Sequence, residues 1–170
     1  SITEGAGLYT LTNGKGSAGN IFIEAAGNIL LDGTNSQGGV SGLYTSVTPT
    51  AEGDAGQINI LTGSLAITSG AALNTLTKGK GSAGNVYINA RDTVSFDGTN
   101  ENGGASGIFT TVDEKAVGNG GDIEIETGSL SVTRGAGLFT LTKSQGNGGN
   151  VNINARDTVS FDGINLNSGS

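Results

Sequence analysis

The sequence predicts an all-β fold, a parallel β-solenoid of about five three-stranded coils, and three observations predict it. First, ten residues, NARDTVSFDG at 89–98, return letter for letter at 154–163. The longer stretch around them, GSAGNVYINARDTVSFDG at 81–98, has a looser copy at 16–33, GSAGNIFIEAAGNILLDG. The shift is 65 residues in both cases, and a fixed period of this kind marks stacked repeats. Second, each 65-residue unit splits into two halves, each with three short runs of alternating apolar and polar residues. That alternation is the period of a strand buried on one face. Third, no stretch shows helical spacing of apolar residues or a helix-capping pattern.

The three pieces recur in a fixed order. The first is a strand after a glycine with two β-branched residues two apart: Ile21 and Ile23, Ile58 and Ile60, Val86 and Ile88, Ile123 and Ile125, Val151 and Ile153. Residues two apart share one face of a strand, and β-branched side chains suit it. The second piece repeats the device with Ile29 and Leu31, Leu65 and Ile67, Val94 and Phe96, Leu130 and Val132, Val159 and Phe161. The third opens with Leu8, Leu43, Leu73, Ile108 and Leu138; two residues later stand Thr10, Thr45, Thr75, Thr110 and Thr140. One coil takes 28 to 37 residues, and coils stacked at about 4.8 Å place like residue over like. Residues 1–170 read as one segment of double-coil repeats: 1–65, 66–130 and a partial 131–170. The pattern is under way at Ser1 and runs into a polar stretch at Ser170, as in a section of a longer array.

A polar, glycine-rich loop joins the third piece to the first, for example LTKGKGSAGN at 76–85 or VDEKAVGNGGD at 112–122. It always closes on a glycine: Gly19, Gly56, Gly84, Gly121 and Gly149. Such a column implies a backbone that needs either positive φ or an approach too close for a Cβ. The next position, Asn20, Gln57, Asn85, Asp122 and Asn150, is expected to stack side chain on side chain. Asp32-Gly33, Asp97-Gly98 and Asp162-Gly163 end the second piece in a turn, because aspartate tolerates the left-handed region and glycine favours it. Pro49 falls in a loop, where a residue without an N–H takes nothing from a ladder.

Composition excludes several function classes. There are 32 glycines, one proline, and no Cys, Met, Trp or His, so triad and thiol chemistry are absent. The Asp32, Asp97, Asp162 column repeats with the turns, whereas a catalytic site is needed once; no enzyme is expected. GDAGQ at 53–57 and GNGGD at 118–122 resemble calcium-binding turns. One carboxylate in each loop core falls short of the six to eight oxygens calcium takes, so no metal and no cofactor is expected. A net charge of −7 with scattered signs argues against a nucleic-acid partner. No apolar run reaches membrane-spanning length, and no Asn-x-Ser/Thr sequon occurs.

Two surfaces are candidates for binding. If Leu8 and its equivalents point inward, the next residues point out: Tyr9, Tyr44, Asn74, Phe109 and Phe139. The four aromatics would form a column able to stack on sugar rings or on another subunit, unless a loop or a neighbouring coil covers them. The triplets Thr10-Leu11-Thr12, Thr75-Leu76-Thr77 and Thr140-Leu141-Thr142 are the T-x-T pattern of flat ice-binding faces. They are broken at Thr45-Ser46-Val47 and Thr110-Thr111-Val112.

The motifs in Gly146–Ala155 (GNGGNVNINA), Arg91–Gly98 and Arg156–Gly163 (RDTVSFDG) and Ser41–Thr45 (SGLYT) give the chain a likeness to a known group. It resembles the repeat region of filamentous-haemagglutinin-like exoproteins of two-partner secretion, cyanobacterial ones especially. The resemblance implies a right-handed β-helix, export through an outer-membrane partner pore, and an extracellular or cell-surface role in adhesion or matrix. The expected function is therefore a structural and adhesive fibre module whose partners are other copies of itself or coils of a parent chain, with polysaccharide or cell-surface glycans. The alternatives are a carbohydrate-binding surface on the aromatic column and ice binding on the Thr column.

Overall fold

The computed structural model describes residues 1–163. Its strands are β1 (Ile2–Thr3), β2 (Gly7–Thr12), β3 (Ile21–Glu24), β4 (Asn28–Asp32), β5 (Gly42–Val47), β6 (Ile58–Thr62) and β7 (Ser64–Thr68). They continue as β8 (Ala72–Thr77), β9 (Val86–Ala90), β10 (Thr93–Asp97), β11 (Gly107–Val112), β12 (Ile123–Thr133), β13 (Gly137–Thr142) and β14 (Val151–Asp162). No helix occurs among the described residues, and every strand pairs in parallel with its neighbours.

Two curled sheets result. The third pieces form one of them, in the order β13-β11-β8-β5-β2. First and second pieces form the other, β1-β4-β7-β10-β12-β9-β6-β3, with β14 on β12. They merge because β12 and β14 run through the corner that separates the two pieces elsewhere. Pairing puts like on like: Leu8 on Leu43, Leu43 on Leu73, Leu73 on Ile108, Ile108 on Leu138. The arrangement is consistent with a parallel β-solenoid.

The core is the inward half of each alternation. Leu31, Leu43, Ile58, Ile67, Leu73, Phe96, Ile108, Ile123 and Ile125 are fully buried, each contributing about 1.5–3 kcal/mol of transfer free energy. No strand buries its own face; the strands above and below do it, as in any linear stack.

Of the two readings of the glycine column, close approach holds and positive φ does not. None of the five has positive φ. A Cβ on Gly56, Gly84, Gly121 or Gly149 would stand 1.9–2.0 Å from the carbonyl oxygen of the column's preceding glycine. Gly19 has no glycine beneath it, and its Cβ would meet nothing nearer than Thr10 Cγ2 at 3.7 Å.

The threonine column belongs to the same device. Thr45, Thr75 and Thr110 are fully buried, and their hydroxyls donate to the carbonyls of Gly56, Gly84 and Gly121 at 2.6 Å. Thr10 and Thr140 do the same to Gly19 and Gly149. Each pair ties the third strand to the end of the loop that follows it, and at Gly56, Gly84 and Gly121 it satisfies a carbonyl that would otherwise be buried alone. At Thr45, Thr75 and Thr110 the column is therefore interior, with its hydroxyls engaged by the glycine carbonyls.

The amide column is also built differently from the expectation. Asn20, Asn85 and Asp122 accept with their side-chain oxygens from the backbone N–H of Gln57, Asp122 and Asn150 at 2.7–2.9 Å. Side chain thus caps backbone, with a side-chain pair only at Asn150 and Asp122. A second ladder lies in the same loops, where Ser17, Asp54, Ser82 and Asn119 receive the N–H of Asp54, Ser82, Asn119 and Asn147. The glycine-rich loops are ordered stacks.

Candidate functional site

The outer side of the five-stranded sheet carries the aromatic column. With Leu43, Leu73 and Ile108 wholly buried, alternation turns the following residue outward. Tyr9 is 65% exposed; Tyr44, Asn74, Phe109 and Phe139 are half-buried. The rings of Tyr9 and Tyr44 stack with centroids 4.8 Å apart and planes 8° from parallel. Phe109 and Phe139 stack at 5.0 Å and 12°. These separations match the strand spacing of about 4.8 Å: the rings stack because the strands do. The column is not a continuous platform, since Asn74 divides it into two pairs.

A neighbouring residue explains the division. The four aromatic strands read Gly-Leu-Tyr, Gly-Leu-Tyr, Gly-Ile-Phe and Gly-Leu-Phe, but the Asn74 strand reads Ala-Leu-Asn. The Tyr9 and Phe139 rings lie back along their strands: a Cβ on Gly7 would touch the Tyr9 ring at 2.7 Å, and one on Gly137 the Phe139 ring at 2.5 Å. Ala72 has that methyl group, in the place where a ring at position 74 would lie.

Loops frame the interruption. Residues 34–40 and 99–105 form two matching loops, each closed by an antiparallel bridge, Thr34 to Val40 and Thr99 to Ala105. The side chain of Asn35 holds the first by accepting from the N–H of Gln37 and Gly39, and Asn100 holds the second through Asn102 and Gly104. Tyr44 donates its hydroxyl to the Val40 carbonyl at 3.0 Å; burial, then the neighbouring Tyr9, push that hydroxyl well above the usual tyrosine range. Strand β8 between them is entered by a tight turn at Ser69 and Gly70, both with positive φ, so no loop covers it. A cleft of about 290 Å³ opens there, lined by Tyr44, Ala72, Asn74, Ala105 and Phe109 among others.

A second outward row was missed at the level of sequence. Phe22, Asn59, Tyr87 and Glu124 occupy one register line across β3, β6, β9 and β12, and Phe22 is 65% exposed. With Leu61, Asn89 and Glu126 they line a shallow depression of about 310 Å³. Asn85 donates to the Tyr87 hydroxyl and Asn89 to Glu126. The signal was present: the residue between each inward pair of the first piece faces out by the same alternation.

The Asp-Gly turns hold carboxylates as well as bends. Gly33 and Gly98 have φ of 71° and 76°. Asp32 accepts from Thr68 at 2.5 Å and Asp97 from Thr133 at 2.6 Å, and Arg134 pairs with Asp97. Partial burial tends to raise the Asp97 pKa; the hydrogen bonds from Thr133 and Arg134 and the Arg134 charge outweigh it and hold the carboxyl below its ordinary value. A group depressed in the folded state releases its proton more readily there than in the unfolded chain. Its stabilisation is present above the unfolded pKa and is lost as pH falls through the folded one. Acid titration of stability should therefore show a fall below about pH 4, shallower in Arg134→Ala; an unchanged profile in that variant would rule out the linkage.

Among the described residues no group of three or more Asp and Glu side chains converges as a metal site would require. Asp54 and Asp122 instead receive backbone N–H groups. Comparison with protein-family models, with curated proteins and with solved structures finds no match to this chain.

Proposed function

We propose that this chain is a section of a right-handed, three-sided β-helix of about five coils, serving as a structural and adhesive module of a secreted or cell-surface fibre. The observation that carries the reading is the continuity of the columns from one exposed edge to the other. At one edge Leu8, Tyr9 and Phe22 are exposed; at the other Val151, Val159 and Phe161 are. Edge strands with unpaired N–H and C=O groups are templates for further pairing. A second copy laid on the first, its short β1 giving up its place on β4 to the second half of β14, would set Tyr9 over Phe139, Ile21 over Val151 and Ile29 over Val159, continuing columns that already hold aromatic on aromatic and aliphatic on aliphatic. The likeness to filamentous-haemagglutinin-like repeats supports the fibre role and an extracellular setting.

Electron microscopy and light scattering across a concentration series test this. Rods that lengthen with concentration are expected, and Val159→Lys, a charge on the exposed edge, should cap them as short particles. Single short rods at every concentration would overturn end-to-end assembly.

A further inference from the structure

The interruption in the aromatic column has the dimensions of a missing ring. Tyr44 and Phe109 stand one strand to either side of Asn74, so their rings are about 9.6 Å apart, two strand spacings. A flat ring midway would lie about 4.8 Å from each, the separation at which Tyr9 stacks on Tyr44. Both walls are fixed, Tyr44 by its hydrogen bond to Val40 and Phe109 by its stack on Phe139. The Ala72 methyl group stands where a ring leaning back from position 74, as those of Tyr9 and Phe139 do, would lie.

The floor is polar and unsatisfied. Asn74 Oδ1 is buried with no hydrogen-bond partner, where a buried amide oxygen ordinarily has one. Beside the cleft, and sharing Asn100 with it, runs a groove of about 620 Å³ lined by Thr34, Asn35, Ser36, Thr99 and Glu101. Apolar walls, one waiting acceptor and a bordering strip of hydroxyls and amides describe a ligand with flat C–H faces and hydroxyl edges that extends beyond one ring.

We propose that this cleft binds one pyranose ring of a polysaccharide. The C–H faces of the sugar stack on Tyr44 and Phe109, the Asn74 side chain turns to bring its unpartnered Oδ1 out to a ring hydroxyl that donates to it, and adjoining sugars lie in the groove between the two loops. An isolated aromatic ligand would satisfy the walls and leave the groove unused.

The test is titration of the isotopically labelled chain with cello-, xylo-, laminari-, malto- and chitohexaose, and with phenol as an aromatic control, read by NMR at the Asn74 side-chain amide. At least one hexaose should shift that amide together with the Tyr44 and Phe109 ring signals, saturably. Asn74→Ala should weaken binding roughly 3- to 10-fold by removing the acceptor. The double change Ala72→Gly with Asn74→Phe, which restores the Gly-Leu-Phe pattern, should complete the stack, raise the melting temperature and abolish binding. Phe109→Leu, which removes one wall, should also weaken binding several-fold and serves if the double variant fails to fold. The proposal fails if no hexaose moves the Asn74 amide, if phenol alone does, or if the filled or wall-less variant binds like the parent chain. Binding is read on unassembled chain at low concentration, so its failure leaves the fibre proposal standing, and the reverse.

Discussion

Ile123→Asp is expected to abolish the cooperative unfolding transition of the chain. Ile123 is fully buried and pairs with Val86 on one side and Val151 on the other. The substitution forfeits about 1.5–3 kcal/mol of apolar burial. It also places a carboxylate among aliphatic side chains, which costs several kcal/mol if it stays charged. Together these rival the roughly 5–15 kcal/mol that holds a typical domain folded. Because the strands form a linear stack, the damage should begin at β9, β12 and β14 and spread to the rest as neighbours lose their cover. Far-UV circular dichroism through a urea titration reads the result. A soluble variant with the parent spectrum and midpoint would mean that Ile123 does not face the core.

The second large effect is a contrast within one column. Gly84→Ala should destabilise the chain by about 3 kcal/mol, whereas Gly19→Ala should be neutral or stabilising by less than about 1 kcal/mol. At Gly84 the new Cβ would stand 1.9 Å from the Gly56 carbonyl oxygen, and neither atom can retreat alone. Retreat of the Gly84 backbone would stretch the Thr75 hydrogen bond to its carbonyl and the Val86 N–H bond to Asp122. At Gly19 the Cβ meets only Thr10 Cγ2 at 3.7 Å, an ordinary contact, and the unfolded chain loses some freedom. Thermal melts of the two single variants decide it. Equal costs would show that the glycines are kept for backbone freedom, not for close approach.

Arginine repeats show a further level of stacking. Arg91 reaches back 65 residues to donate to the Ala26 carbonyl at 2.9 Å, and Arg156 donates to the Arg91 carbonyl in the same way. The guanidiniums pass Gly63 and Gly128, where a Cβ would lie 3.0–3.1 Å from them. That explains why the Arg of RDTVSFDG and a glycine alternate along one line.

By itself the sequence determined which residues face in, because a two-residue alternation has only two phases and the inward phase opens on an aliphatic residue in every copy. It likewise determined the register, since the recurrence that places Leu8 with Leu43 and Leu73 is the one the pairing follows. Only the tertiary structure decided what the polar columns do. Thr75 and Gly84 are read as separate ladders when the chain is laid flat; they meet because the loop between them folds back and brings a buried carbonyl to a buried hydroxyl. The interruption at Asn74 was visible as a letter, but its meaning was not. A methyl group on Ala72, rings leaning back along their strands and two loops standing to either side turn a missing aromatic into a cleft. Each of those is a distance between parts of the chain that sequence spacing does not measure.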